Sequence, residues 1–276
     1  MASFKDNKNL LHLNNSFKGE SGALLIIGGS DLYTGAPYFV SEAGFKMGID
    51  IVYILTFSKK AEISLKMLSP STITTTNVDL IIKLLKRIKI CVIGPGLGDI
   101  SQNLNEIIMI IKKIEEKIVI LDGDILRFMD YVLNILKNNN NYLIATPNIH
   151  EQSHLKKSCN KSLDIVVKKS IVDKISEFKE GNLIKMTQIR KPINLKRCCG
   201  QGDILCGIIA GLMRYENIEK HQIVKISCKI LRKVGKRCFN KYGYGFKADC
   251  ILKELKYSDF HKKIKKYIKI QKTKKS

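Results

Sequence analysis

Ala23–Ser30, ALLIIGGS, is an unbroken apolar run that stops at two glycines and a serine. A run this short and this apolar suits a strand buried on both faces. The glycines after it let a backbone or a ligand approach closely. The same form recurs along the chain as GIDIVYILT (48–56), IKICVIGPGLG (88–98), KIVILDGD (117–124), NYLIATPN (141–148) and SLDIVVKK (162–169). Helical patterns lie between them, among them PYFVSEAGFKMG (37–48) and ISQNLNEIIMIIKKIEE (100–116). The last third reads as helices near 203–215, 219–240 and 247–256. Apolar strands alternating with helices predict one α/β domain, a parallel sheet covered on both faces, with its site at the carboxyl ends of the strands.

Composition narrows the function classes. The chain has 276 residues, 45% of them apolar, and a formal net charge of +23. Such a charge raises the question of nucleic acid. However, lysine is spread along the chain together with abundant Ile and Asn, which fits an A/T-rich coding bias better than a binding face. Only the tail, KYSDFHKKIKKYIKIQKTKKS (256–276), concentrates basic residues, and nucleic acid is not the expected partner. No apolar stretch is long enough for a membrane span, and the first residues lack an apolar signal core. Eight cysteines without C-x-x-C spacing read as thiols in a reducing compartment, which makes the cytoplasm the expected location.

The strand-end loops carry the chemistry. GPGLGD (94–99) is not G-x-G-x-x-G, and no G-x-x-x-x-G-K-[ST] occurs, so neither dinucleotide fingerprint nor P-loop is present. In KRCCGQGDILCGIIAGLMRY (196–215), Gly200, Gln201 and Gly202 can turn backbone N–H groups into one concavity at the start of a buried helix. Asp203 then stands where a carboxylate can deprotonate a hydroxyl attacking a bound phosphate, or can simply cap the helix. Asn148 and Glu151 face the same way if a helix starts near Pro147. Asp122 and Asp124 read either as turn formers or as ligand contacts. HEQSH (150–154) matches H-E-x-x-H, with Glu177 or Glu180 as further ligands, but "TPN" before it and "LKKSCNKS" after it argue against a zinc helix. Cys198, Cys199 and Cys206 read as packing residues.

Taken in order, FKGESGALLIIGGSDLYTGAPYFVSEAGFKMGIDIVYI, GPGLG, ILDGDIL, ATPNIHE, VVKKSIVDKI and KRCCGQGDILCG resemble the ATP-dependent NAD(P)H-hydrate dehydratases of the ribokinase-like superfamily. The resemblance runs from about Lys18 to Leu255. It implies a ribokinase-like three-layer sandwich over 18–256, an N-terminal extension (1–17) and a basic tail (257–276). It implies ATP as co-substrate, Mg²⁺, and hydrated NADH or NADPH as substrate. The ring hydroxyl would be phosphorylated and phosphate eliminated. Family members often assemble, so a homo-oligomer is expected, as is a separate epimerase for the R form.

Residue by residue, the resemblance makes Asp203 the base and Gly200–Gly202 the hole for the transferred phosphate. Substrate contacts fall on Gly96, Gly98, Asn148, Ile149, His150, Glu151, Gln152, Ser153 and His154, with Tyr33, Thr34 and Gly35 shaping the pocket. Glu151 would reach Mg²⁺ through water. ATP contacts fall on Lys169, Ser170, Ile171, Val172 and Asp173, then on Ile193, Asn194, Leu195, Lys196, Arg197, Cys198, Cys199, Gly200, Gln201 and Gly202. The chain departs from the family pattern where Ser170 and Cys199 replace glycines, where Gln152 replaces phenylalanine, and in KPINLKR (191–197). A glycine with positive φ at 170 would leave Ser170 strained. The readings held beside this one are a ribokinase-like kinase of a small alcohol and an inactive homologue.

Overall fold

The computed structural model describes residues 22–155, 159, 161–192 and 196–261. Strands β1 (Ala23–Ile27), β2 (Ile51–Leu55), β3 (Ile73–Thr75), β4 (Ile88–Ile93), β5 (Ile118–Leu121), β6 (Tyr142–Ala145), β7 (Ile165–Lys168), β8 (Asp173–Lys179) and β9 (Asn182–Ile189) form one sheet. Its order is β3-β2-β1-β4-β5-β6-β7-β8-β9. Pairing is parallel from β3 through β7, and β8 and β9 are added antiparallel as a hairpin. The six apolar runs read from the sequence are six of the seven parallel strands. The short β3 and the hairpin lacked that signature.

Strand alternation builds two cores. Leu24 and Ile26 point into one, Leu25 and Ile27 into the other, and all four are fully buried. Helices α1 (Gly35–Lys46), α2 (Lys59–Leu68), α3 (Val78–Leu84), α4 (Leu104–Ile111), α5 (Met129–Asn138), α6 (Gln201–Leu212), α7 (Lys220–Tyr242) and α8 (Ala248–Glu254) flank the sheet. Residues of α1, α2, α6, α7 and α8 share the first core, and residues of α3, α4 and α5 share the second. This is the expected three-layer α/β sandwich.

Helix α6 is buried from Ile204 to Leu212. It presses directly on α1, where a Cβ on Gly207 would stand 2.3 Å from the Val40 carbonyl oxygen and one on Gly211 2.4 Å from Met47 Cβ. Only glycine permits that backbone approach.

The domain also runs past its expected end at 256. Phe260 is fully buried, and Asp259 accepts hydrogen bonds from Lys233 and Arg237 of α7. The rest of the basic tail, 262–276, and the N-terminal extension lie outside the described residues.

Candidate active site

Parallel strands aim their carboxyl ends at one edge, and the chain changes direction between β1 and β4. The loops after these two strands interlock there. Gly29 N–H donates to the Pro95 carbonyl, and Gly94 N–H to the Ile27 carbonyl. Gly96 has φ 65° and a Cβ there would lie 2.7 Å from the Tyr33 carbonyl oxygen, so no larger residue fits. A cavity of about 320 Å³ opens beside this joint, lined by Gly29, Ser30, Phe57, Leu97, Gly98 and Asn103 among others. Asp124, at the end of β5, accepts the Gly98 N–H at 2.7 Å and so fixes the loop. Of the residues expected to shape the substrate pocket, Tyr33 is half-exposed, its ring beside Gly98, and Thr34 and Gly35 begin α1.

The segment after β6 does not start an α-helix. It makes a single 3-10 turn, Glu151–His154. Asn148 supports this turn. Its Oδ1 accepts the N–H groups of His150 and Glu151, and its amide donates to Glu151 Oε1 at 2.6 Å. Glu151 Oε2 in turn accepts the Asn148 N–H at 2.8 Å. The two side chains cap each other and hold the Glu151 carboxylate toward the strand ends. Ile149, His150, Ser153 and His154 are exposed, while Gln152 is partly buried. Among the described residues no three His, Cys, Asp or Glu groups are placed to hold a metal directly, which leaves the H-E-x-x-H match without a zinc site.

The segment after β7 folds into the tight turn Ser170–Asp173. Asp173 accepts the Ser170 N–H, and Ser170 Oγ donates to the Val172 carbonyl at 2.5 Å. The expected strain at Ser170 is absent, because the non-glycine residues with positive φ are Glu116, Asn140 and Glu180 among those described. Arg232 of α7, only 1% exposed, clamps the turn. It donates to Asp173 Oδ2 at 2.6 Å, to the carbonyls of Ser170 and Ile171, and to that of Pro192. Arg197 also donates to the Ser170 carbonyl.

A cavity of about 200 Å³ lies over this clamp, lined by Asn148, Lys169, Asp173, Arg197, Cys198, Gln201, Gly202, Leu205, Leu231 and Arg232. Seven of the residues expected from sequence thus share one pocket. Lys196 instead sends its ammonium to the carbonyls of Tyr244 and Phe246, while Ile171 and Cys199 are exposed. Ile193, Asn194 and Leu195 lie outside the described residues. Three cations against one carboxylate, Asp173, make this lining suit a polyphosphate. Gln201 Oε1 is buried without a protein partner, an orphan that a ligand hydroxyl or amine would satisfy.

At the mouth of α6, Gly200 takes a left-handed conformation, φ 85°, and the helix starts at Gln201. Gln201 N–H turns back to the Cys198 carbonyl at 3.3 Å. Of the N–H groups expected to face a phosphate, Gln201's is therefore engaged, and those of Gly202 and Asp203 are first-turn groups without a helical acceptor. Asp203 is only partly accessible. Burial, then the charges of Asp122 and Glu151, push its carboxyl up to about 7 against the pull of Lys169. That is the range a general base needs near neutral pH. Glu151 is also raised, first by burial and then by Asp122. Several carboxylates around one ammonium, without a protein cage, suit a hydrated Mg²⁺ carried on phosphate oxygens.

Asp122 was read only as a turn former or a ligand contact. Its buried carboxylate accepts from Lys169 Nζ at 2.6 Å and from Thr146 Oγ1 at 2.7 Å. The end of β5 therefore reaches both cavities, through Asp124 and Gly98 on one side and through Asp122 and Lys169 on the other.

Known proteins are similar to this chain in sequence and fold. A relative from Ciona intestinalis, named ATP-dependent (S)-NAD(P)H-hydrate dehydratase, is 35% identical over 70% of this chain and 60% of its own length. The match therefore spans less than two thirds of that protein. Relatives with the same name from Drosophila pseudoobscura and Dictyostelium discoideum are 28% and 32% identical, covering 88% and 75% of this chain and 87% and 74% of theirs. Among solved structures, a hypothetical protein from Streptococcus mutans superposes with a TM-score of 0.73 at 21% identity, covering 88% of this chain and 91% of that one. The Bacillus subtilis ADP/ATP-dependent NAD(P)H-hydrate dehydratase, co-crystallised with ATP and Mg²⁺, gives 0.68 at 18%, over 88% and 90%. These structures share the fold. The family model described as NAD(P)H-hydrate dehydratase matches residues 24–257. The chain belongs to the NAD(P)H-hydrate dehydratase family.

Proposed function

We propose that this protein restores NADH or NADPH from the S form of the hydrated cofactor at the expense of ATP. The observation that carries the reading is the Asp203 carboxyl, raised to about 7 at the first turn of α6. It follows Gly202, which lines the cation-lined cavity, and the second cavity lies at the same strand-end edge, beside Gly98. Hydroxide is a poor leaving group from the hydrated ring. Asp203 takes the ring hydroxyl's proton as its oxygen attacks the terminal phosphorus of ATP. ADP leaves, and the hydroxyl becomes a phosphate ester. Loss of phosphate from the ester, with loss of a ring proton, restores the dihydronicotinamide.

Lys169, Arg197 and the N–H groups of Gly202 and Asp203 would hold the polyphosphate, with Arg232 and Asp173 shaping its pocket. Glu151 would orient a water of the Mg²⁺ shell, and the ion would offset charge between the phosphates. Gly96, Gly98, Tyr33, Thr34 and Gly35 would line the hydrated-nicotinamide side, with the Asn148–His154 turn closing over it. No disulfide joins the cysteines, which supports a reducing compartment, and we assign the protein to the cytoplasm. A separate epimerase would supply the S form from the R form. Exposed apolar residues on β9, Leu183, Ile184 and Met186, support assembly into a homo-oligomer.

The test follows near-ultraviolet absorbance of the dihydronicotinamide. Protein is mixed with hydrated NADH, Mg²⁺ and either ATP, ADP or no nucleotide. A nucleotide-dependent rise that Asp203→Asn abolishes is the expected result. No rise with either nucleotide refutes the reading, and a stable phosphorylated alcohol would move the assignment to a small-alcohol kinase.

A further inference from the structure

Buried ion pairs are costly to form, and apolar residues of similar volume often serve stability as well. The Asp122–Lys169 pair is such a case: the two residues are only 4% and 9% exposed. Asp122 Oδ1 receives both Lys169 Nζ and Thr146 Oγ1, and that hydroxyl also touches Cys206 Sγ of α6 at 3.4 Å. Lys169 N–H donates to the Pro147 carbonyl, which fixes where its side chain starts. The ammonium ends against the first turn of α6, since a Cβ on Gly202 would lie 3.0 Å from Lys169 Nζ and 3.8 Å from Asp122 Oδ2. Burial works against the ammonium, but the Asp122 carboxylate, with Glu151 beyond it, holds it charged. Lys169 therefore pairs with Asp122, while Asp203 lies near enough to feel its charge.

We propose that Asp122 is a positioning residue that holds the Lys169 ammonium at the Gly202 turn, facing the transferred phosphoryl group and away from Asp203. The inference rests on the dehydratase reading for the identity of the reaction. With Asp122 in place, Lys169 is engaged and Asp203 keeps its carboxylate for the substrate hydroxyl. Without Asp122, the same ammonium can pair with Asp203 and weaken it as a base. Thr146 locks the rotamer that prevents this. The groups facing Asp203 are Asp122 from β5, Glu151 from the 3-10 turn and Lys169 from the end of β7.

The experiment compares Asp122→Asn, Thr146→Val and the charge-balanced double variant Asp122→Asn/Lys169→Met with wild type. Rates on hydrated NADH at saturating Mg²⁺ and ATP are followed from about pH 5 to 9. Asp122→Asn should lower kcat at least about tenfold, leave KM for the hydrate within about twofold, and move the acidic limb of kcat/KM down by about one unit. The double variant should return the limb upward, and Thr146→Val should move it down by less. A limb that stays in place, or a uniform loss at every pH, overturns the proposal.

A second readout needs no turnover: the pH dependence of the melting-temperature difference between each protein and its Asp203→Asn partner. Its midpoint should fall by about one unit in the Asp122→Asn background, and an unmoved midpoint overturns the proposal. Absence of hydrate turnover in wild type would count against the dehydratase reading alone, because this shift is measured without substrate.

Discussion

Replacing Asp203 by asparagine should abolish the reaction and stabilise the fold, and the second effect can be sized from its surroundings. The folded carboxyl is raised from 3.8 to about 7. Below about pH 4 the carboxyl is protonated in both folded and unfolded chains and carries no penalty. Between pH 4 and 7 the folded state binds the extra proton, so stability falls as pH rises, and above 7 the penalty is complete. Three units at about 1.4 kcal/mol each give a gross effect of about 4 kcal/mol. Asp203 is partly accessible, so water screens some of this and about 2–4 kcal/mol remains. For a chain of this size that corresponds to roughly 3–7 °C in Tm. Thermal melts of wild type and Asp203→Asn, without nucleotide or Mg²⁺, across pH 4 to 9 test it. The variant should melt higher above pH 7, and the gap should close toward pH 4. A gap independent of pH, or a variant less stable at pH 8, refutes the reasoning.

Three further outcomes follow from contacts already described. Glu151→Gln removes one charge from the cluster but keeps an acceptor for Asn148; the Mg²⁺ concentration for half-maximal rate should rise about tenfold, read from an Mg²⁺ titration. Arg232→Met leaves the buried Asp173 with only Arg197, 3.8 Å away, as a cationic partner, which should cost about 2–4 kcal/mol in urea unfolding and weaken ATP binding by calorimetry, with addition of Asp173→Asn recovering part of the stability. Gly207→Ala drives a methyl into the Val40 carbonyl and should cost about 1–3 kcal/mol in the same unfolding assay.

The parallel sheet was legible because six of its seven parallel strands are largely buried and read as apolar words, whereas β3 is partly exposed and does not. β9 was not. It is exposed along most of its length, so no core-facing period marks it, and β8 places Asp173 and Ile175 inward beside a lysine. Asn148 and Glu151 do face one another as their spacing allows, capping each other across a single 3-10 turn rather than at the start of an α-helix. Asp203 and the cavity residues from Lys169 to Gly202 were visible through their motifs. Arg232 was not, because α7 also carries Lys225, Lys229, Lys233, Lys236 and Arg237, and nothing in the spacing says which cation turns inward. Asp122 was ambiguous for a similar reason. An aspartate after a strand suits a turn as well as a site, and only the arrival of Lys169 from a distant strand end distinguishes them.

The backbone contact between α1 and α6 has a mechanical meaning. α1 starts at the Tyr33–Gly35 loop and α6 at the phosphoryl hole, so each helix is a rod ending in one half of the chemistry. Gly207 and Gly211 remove the compliant layer of side chains that ordinarily lets neighbouring helices slide. The two rods therefore behave as the fixed jaw of a caliper, which holds the Tyr33–Gly35 loop and the Gly202 turn at a set span. Any closing movement must then come from the opposite jaw, the turns after β6 and β7.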